Sequence, residues 1–202
     1  MTQENTNTNR PVPIDKEAIW DKTQTIMSKT DLFGTIEYVN QAFADVSGYE
    51  EDELMAHPHN IIRHPDMPKV IFKVLWENIK AGNQFHGIVK NLTKSGRYYW
   101  VITDFEYSRD AKGTIQNYIA RRKAVPENVI TNHIAPLYKK LLEIEHTSGV
   151  STSEKYLTGY LEDQNLSYVE LITKLMVENE EKSPNPDSNK KKEGFFSRFF
   201  GK

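Results

Sequence analysis

The sequence predicts an α+β fold, an antiparallel sheet with helices on one face, followed by a small helical extension. Three observations carry this expectation. Residues 85–92 and 98–108 are strand-like and joined by Thr93-Lys94-Ser95-Gly96, a hairpin signal; a second turn ending at Gly113 leads to a third run at 114–123. Ahead of this meander, Val70, Ile71, Val74 and Leu75 recur at helical spacing over 67–81, and Gly82 stops the pattern. Beyond Pro126, apolar residues recur at helical spacing instead.

The elements follow in order. Residues 1–13 are polar, end in Arg10-Pro11-Val12-Pro13, and read as a disordered lead-in. A domain spans 14–124 and opens with a short cap helix over 14–23, begun at Asp15, with Ala18, Ile19 and Trp20 as its apolar side. Strands are expected at 25–28 and 34–39, with Thr30-Asp31-Leu32-Phe33-Gly34 turning between them. Asn40 should cap a brief helix over 40–46 that Gly48 ends, and residues 50–55 form an acidic helical turn.

In the extension, 127–180, Val129, Ile130, Ile134, Leu137, Leu141 and Ile144 mark a helix over 127–146 that Pro136 kinks or splits. After a break at 148–153, residues 154–161 and 168–177 form a second helical unit. These helices can dimerise the chain or dock on a partner. Residues 181–202 are a polar linker and a tail in which Phe195, Phe196, Phe199 and Phe200 stand among five basic residues and one acid over 190–202. Such a tail fits contact with a membrane surface; a sticky disordered end is the other reading.

Composition removes several function classes. The 202 residues carry a formal charge of −2, so no global basic field draws in nucleic acid. Cysteine does not occur, which excludes disulfides, thiolate metal sites, cysteine nucleophiles and cysteine-adduct photochemistry. The polar N-terminus has no secretory signal, and no run approaches the roughly 18–20 apolar residues of a membrane span. A soluble, cytoplasmic protein is expected, at most peripheral at the inner face of the membrane.

Residues 57–68, His-Pro-His-Asn-Ile-Ile-Arg-His-Pro-Asp-Met-Pro, concentrate the chemistry. Asp66 and Pro68 suit a helix start, but that role leaves His59, Asn60, Arg63 and His64 unexplained. A helix N-terminus flanked by arginine and imidazole is a site for an anion such as phosphate, and structural capping is the competing reading. A metal site of His57, His59, His64 and Asp66 is a third. Across the domain, alternation places Asn91 on one face with Phe85, Gly87 and Val89, and Tyr99, Val101, Thr103 and Phe105 on one face of the next strand. An amide on an apolar face suits the edge of a flat heterocycle; taken locally, an asparagine that starts the turn and bonds its own backbone is the stronger reading.

The string from Pro58 to Pro68, with Trp76, Gly87-Ile88-Val89-Lys90-Asn91 and Tyr99-Trp100-Val101, resembles the Aer-type PAS domains of aerotaxis and energy-taxis receptors. Tyr38-Val39-Asn40, Phe43 and Val46-Ser47-Gly48-Tyr49 belong to the same pattern, over about residues 25–123. The resemblance implies a PAS fold: five antiparallel strands, helices over one face, and a non-covalent FAD between them. It implies that Arg63, His64 and Asp66 match the motif tied to FAD retention, with His59 and Asn60 as cofactor-binding candidates on the same loop and Asn40, Trp76 and Tyr99 at pocket positions. Asn91 looks like the asparagine that meets the flavin ring in light-sensing PAS domains, and Phe85 stands where this family tends to have tryptophan. Haem is not implied, because residues 67–81 contain no histidine.

The resemblance implies a redox or energy-taxis sensor rather than an enzyme. With no receptor output segment of its own, the chain is expected to be a stand-alone subunit that signals to a separate membrane chemoreceptor subunit bearing HAMP and signalling domains. Trp100 and Ile102 alternate outward and are candidate docking residues, or they pack beneath the helices after Pro126. A cofactor-free PAS interaction module is the alternative.

Overall fold

The computed structural model describes residues 10–180; the basic-aromatic tail and the first nine residues lie outside that range. Five antiparallel strands form one sheet: β1 Ile26–Thr30, β2 Ile36–Val39, β3 Phe85–Leu92, β4 Tyr98–Arg109 and β5 Ile115–Ala124, in the order β2-β1-β5-β4-β3. Between β2 and β3 lie helices α1 Gln41–Ser47 and α2 Glu51–Leu54, a 3₁₀ turn at His59–Ile62, and α3 Lys69–Lys80. The extension comprises α4 Glu127–Val129, a π-helical stretch Ile130–Ile134, then α5 Ala135–Ser148, α6 Val150–Glu162 and α7 Tyr168–Glu180. The expected α+β architecture is therefore present.

Local chemistry sets the boundaries. Asn40 accepts from the Phe43 N–H and ties α1 to β1 by accepting from Met27 N at 2.9 Å and donating to the Thr25 carbonyl at 2.8 Å. Gly48 ends α1 in the left-handed region. In the β3–β4 hairpin, Gly96 has φ of +84°, and a Cβ there would lie 2.2 Å from the Val12 carbonyl oxygen. Only glycine lets the incoming chain pass so close.

The segment before β1 departs from expectation. No helix forms over 14–23; the chain runs extended beside β4, where Ala18 N–H donates to the Tyr98 carbonyl (2.7 Å) and Tyr98 N–H to the Lys16 carbonyl (3.0 Å). Those long-range bonds take the backbone groups that a helix would have used. Ala18 is buried while Ile19 is 92% exposed, so the expected apolar side does not exist. Residues 10–13 lie against the hairpin rather than forming a detached lead-in: Ile14 N–H donates to Gly96 O.

Helix α3 buries Val70, Ile71, Leu75 and Ile79 toward the sheet. Each contributes roughly 1.5–3 kcal/mol of burial. Its N-terminus is not capped by Asp66 as expected. Pro68 occupies the cap position, and the Glu145 carboxylate of α5 accepts from Lys69 N and Val70 N, both at 2.9 Å.

The extension packs on the domain. Tyr138 of α5 donates to the Ile88 carbonyl on edge strand β3 at 2.6 Å and lies 2.5 Å from the Tyr168 hydroxyl of α7. Trp100 packs on Tyr138 with centroids 6.0 Å apart, and both Trp100 and Ile102 are buried, so this patch is covered rather than open for docking. The helical run continues through Pro136 but changes geometry just before it. The turn before it widens to π geometry, with Ala135 N–H bonded to the Ile130 carbonyl. The expected break at 148–153 shrinks to Gly149.

Replacing Glu145 with alanine leaves two backbone donors at the start of α3 without their carboxylate. Glu145→Ala should lower stability by about 1–2 kcal/mol in urea titrations, with Glu145→Gln intermediate. An unchanged midpoint in Glu145→Ala would show that the cap is energetically idle.

Candidate functional site

A cavity of about 160 Å³ lies between α3 and the inner face of the sheet. Phe72, Leu75, Trp76 and Ile79 of α3 form its roof, and Val89, Phe105, Tyr118 and Ala120 its apolar floor. Polar groups enter from three directions: His59, Asn60 and Arg63 from the loop, Asn91 and Thr103 from β3 and β4, and Ser28, Thr30 and Arg122 from β1 and β5. None of the lining residues is acidic, whereas two are arginines.

Two of these polar groups lack a partner. Asn91 is buried on the cavity face; its Nδ2 completes no hydrogen bond and has only the buried Tyr99 hydroxyl opposite it in the hairpin, itself unsatisfied, and the buried Thr103 Oγ1 has no partner. A buried polar group left unpaired costs about 1–3 kcal/mol, so both are poised for a ligand that accepts and donates hydrogen bonds along an edge. Arg63 is held beside them. Its backbone bridges to Asn91, and its guanidinium lies 3.8 Å over the Phe72 ring. Burial first, and then Arg10, lower its pKa, with Glu145 opposing.

Arg122 forms the deepest polar cluster. It is 3% exposed, donates from Nη1 to Ser28 Oγ (3.0 Å) and from Nη2 to His59 Nε2 (2.8 Å), and lies 5.6 Å from the Phe43 ring centre. A guanidinium only donates, so His59 Nε2 accepts and the ring is neutral. Burial, then the Arg122 charge, push the His59 pKa down to about 3. Burial lowers that of Arg122 to about 10, which leaves it cationic at neutral pH.

The other expected site residues do different work. His64 is buried beside the cavity, where its Nδ1 accepts from the Asp66 N–H at 3.1 Å. Burial and Lys90 lower its pKa to about 4, so the 3.5 Å approach of the Asp66 carboxylate is no ion pair at neutral pH. Asp66 instead pairs with Lys90 at 2.8 Å; burial raises its pKa, but the Lys90 hydrogen bond and charge outweigh that and the net shift is downward. Together they fasten the loop to β3. Phe85 stacks on Tyr168 at 5.7 Å, Tyr99 lies buried against Trp20 at 6.3 Å, and Asn40 caps α1; none of these lines the cavity. His59, Asn60, Arg63, Trp76 and Asn91 do line it. Trp76, 36% exposed, sits edge-on to Tyr118 at 5.5 Å. Among the described residues no cluster of histidine and carboxylate suits a metal, and the His57, His59, His64 and Asp66 grouping does not assemble.

The sequence reading missed Arg122 and Ser28. Arg121-Arg122-Lys123 are consecutive and basic, and only the register, with Arg122 opposite Thr103, shows which one turns inward.

Residues 36–121 match the family model described as PAS fold, in agreement with the five-stranded sheet and the helices between β2 and β3. The chain is 42% identical over 118 residues to the aerotaxis receptor of Escherichia coli (strain K12), covering 58% of this chain and 23% of that protein. It is 26% identical over 105 residues to the bacterioopsin transcriptional activator of Halobacterium salinarum, covering 52% of this chain and 16% of the relative. The matches thus span less than a quarter of either relative. The light-state structure of the blue-light photoreceptor Aureochrome1 LOV superposes with a TM-score of 0.50 at 21% identity, over 57% of this chain and 93% of that one, and shares the fold. Among the described residues, no helix is long and apolar enough to cross a membrane.

The buried neutral histidine predicts a pH response. His64 has a folded pKa near 4 against about 6.5 unfolded, so its contribution is complete above 6.5 and declines as pH falls toward 4. The stability of wild type relative to His64→Gln should drop by about 1 kcal/mol between pH 7.5 and 5.5 in denaturant titrations. Parallel curves for the two proteins would contradict a neutral buried His64.

Proposed function

We propose that the cavity binds FAD non-covalently and that the chain is a redox sensor, reporting the state of that cofactor by protein–protein contact to a separate membrane chemoreceptor subunit. The observation that carries the reading is the acid-free cavity in which buried Asn91 Nδ2 and Thr103 Oγ1 await partners between two arginines. An edge carrying alternating donors and acceptors, attached to an anionic tail, meets both needs. The 42% identity with the aerotaxis receptor supports a sensor assignment, and the light-oxygen-voltage domain solved in work on a flavin analogue (TM-score 0.50) has the same fold.

The bound flavin would supply reversible electron storage. The chain's own residues do the rest. Asn91 and Thr103 orient the ring edge, Phe72 and Trp76 exclude water, and Arg63, steadied on Phe72, meets the phosphate-bearing portion. His64, Asp66 and Lys90 hold the loop that carries Arg63. Signalling then requires that a change at Asn91 bias an element with two arrangements. Strand β3 is the candidate, because Asn91 faces the cavity while the neighbouring Ile88 carbonyl holds Tyr138 of the extension.

The test is reconstitution of the purified chain with FAD, FMN and riboflavin, followed by absorption spectroscopy and identification of the retained flavin. FAD should be retained, and Arg63→Ala should weaken it at least tenfold, as loss of a charge-assisted contact worth about 1.5–3 kcal/mol implies. Riboflavin binding should change far less. Protein that stays colourless with all three flavins favours a cofactor-free interaction module.

A further inference from the structure

Arg122 is a buried cation that the loop's anion-binding role does not explain. Its partners are neutral: the Ser28 hydroxyl, the His59 imidazole, the Ala120 carbonyl at 3.4 Å and the Phe43 ring. No residue lining the cavity carries a carboxylate. Taking a guanidinium out of water without a counter-charge is costly, and breaking such compensation in a fold typically costs several kcal/mol. The charge also faces a particular place. Arg122 lies opposite Thr103 in the β4–β5 register, and Thr103 Oγ1 is one of the two unpartnered polar atoms of the cavity. It stands one residue beyond the segment that matches the PAS fold model.

We propose that Arg122, oriented by Ser28 and His59, supplies the positive charge that compensates negative charge on the ring portion of the cofactor, and so favours the reduced over the oxidised flavin. This rests on the flavin reading above. Two electrons from an external reductant, dithionite in the assay below, and one proton taken from water leave a reduced flavin ring with one negative charge. The cation is fixed before the charge arrives, so little reorganisation accompanies it. The low dielectric of a water-excluding cavity makes the pairing stronger than at a surface. Neutral His59 positions the guanidinium without adding or cancelling charge. Arg63 and Arg122 thereby divide the work: one meets the phosphates, the other the ring.

The experiment compares the full chain with Arg122→Gln, Arg122→Lys and Ser28→Ala, each loaded with FAD and titrated with dithionite against reference dyes. Arg122→Gln should keep oxidised FAD but lose at least tenfold in its preference for the reduced form, a fall of about 30 mV for a two-electron couple. Arg122→Lys should retain most of the wild-type potential, and Ser28→Ala should shift it in the direction of Arg122→Gln. A loaded Arg122→Gln protein with the wild-type potential overturns the proposal and leaves the flavin reading standing. Loss of FAD but not riboflavin, with no change in potential, assigns Arg122 to phosphate and also overturns it. If Arg122→Gln does not fold, an unchanged potential in Ser28→Ala is the overturning result. Wild-type protein that takes up no flavin overturns both readings.

Discussion

The burial of the Arg122 charge without a carboxylate partner is the constraint around which this domain is arranged. Its compensation is assembled from four elements. Ser28 comes from β1, His59 from the 3₁₀ turn, the Ala120 carbonyl from β5, and the Phe43 ring from α1. Each contribution restricts the element that makes it. β1 must pair with β5 so that Ser28 stands opposite Ala120, as it does. The loop must present an unprotonated nitrogen, which burial of His59 secures by holding its pKa near 3. Asn40 enters here indirectly. By binding Met27 N and the Thr25 carbonyl while capping α1, it fixes Phe43 relative to β1.

The opposite wall depends on the extension. Helix α3 roofs the cavity with Phe72, Leu75, Trp76 and Ile79, and its first turn is held by Glu145 of α5. That carboxylate occupies the backbone donors a helix N-terminus would otherwise offer to an external anion. The helix terminus is thus a structural joint whose first donors are already taken by a side chain of the extension. On the far side of β3, Tyr138 takes up the Ile88 carbonyl and so covers part of an edge strand that would otherwise invite pairing.

What was legible in the sequence was local. Asn40 and Gly48 announced both ends of α1, Gly82 the end of α3, and Thr93-Lys94-Ser95-Gly96 the hairpin, because turn and cap chemistry depends on neighbouring residues. Asn91 faces inward with Val89, one of the two readings the sequence left open for it, and the expected five-stranded sheet formed. The failures share a cause: they hinge on distant partners. Residues 14–23 have a helical start signal, but β4 supplies their backbone bonds. Asp66 has the chemistry of a cap, but Glu145 of α5 takes the position's donors and Lys90 takes Asp66. Phe85 has the right strand face for a ring contact, but Tyr168 of α7 stacks on it first. Arg122 was hidden among three basic residues whose facing depends on register.

These two halves meet in β3. Asn91 is tied by its backbone to Arg63, and Lys90, its neighbour, bonds Asp66 of the same loop and donates its backbone N–H to Met67 Sδ at 3.1 Å. Two residues further back, the Ile88 carbonyl carries the extension through Tyr138. Loop, cavity and extension therefore share a segment of four residues, 88–91. An antiparallel strand cannot shift its inward side chains without also moving the outward groups that alternate with them. The Ile88 carbonyl that Tyr138 binds lies at the free edge of this same strand, so a backbone shift at Asn91 has a short path to the extension. This is coupling by a shared rigid element rather than by a chain of remote contacts, and it needs only that β3 have two arrangements that a ligand distinguishes.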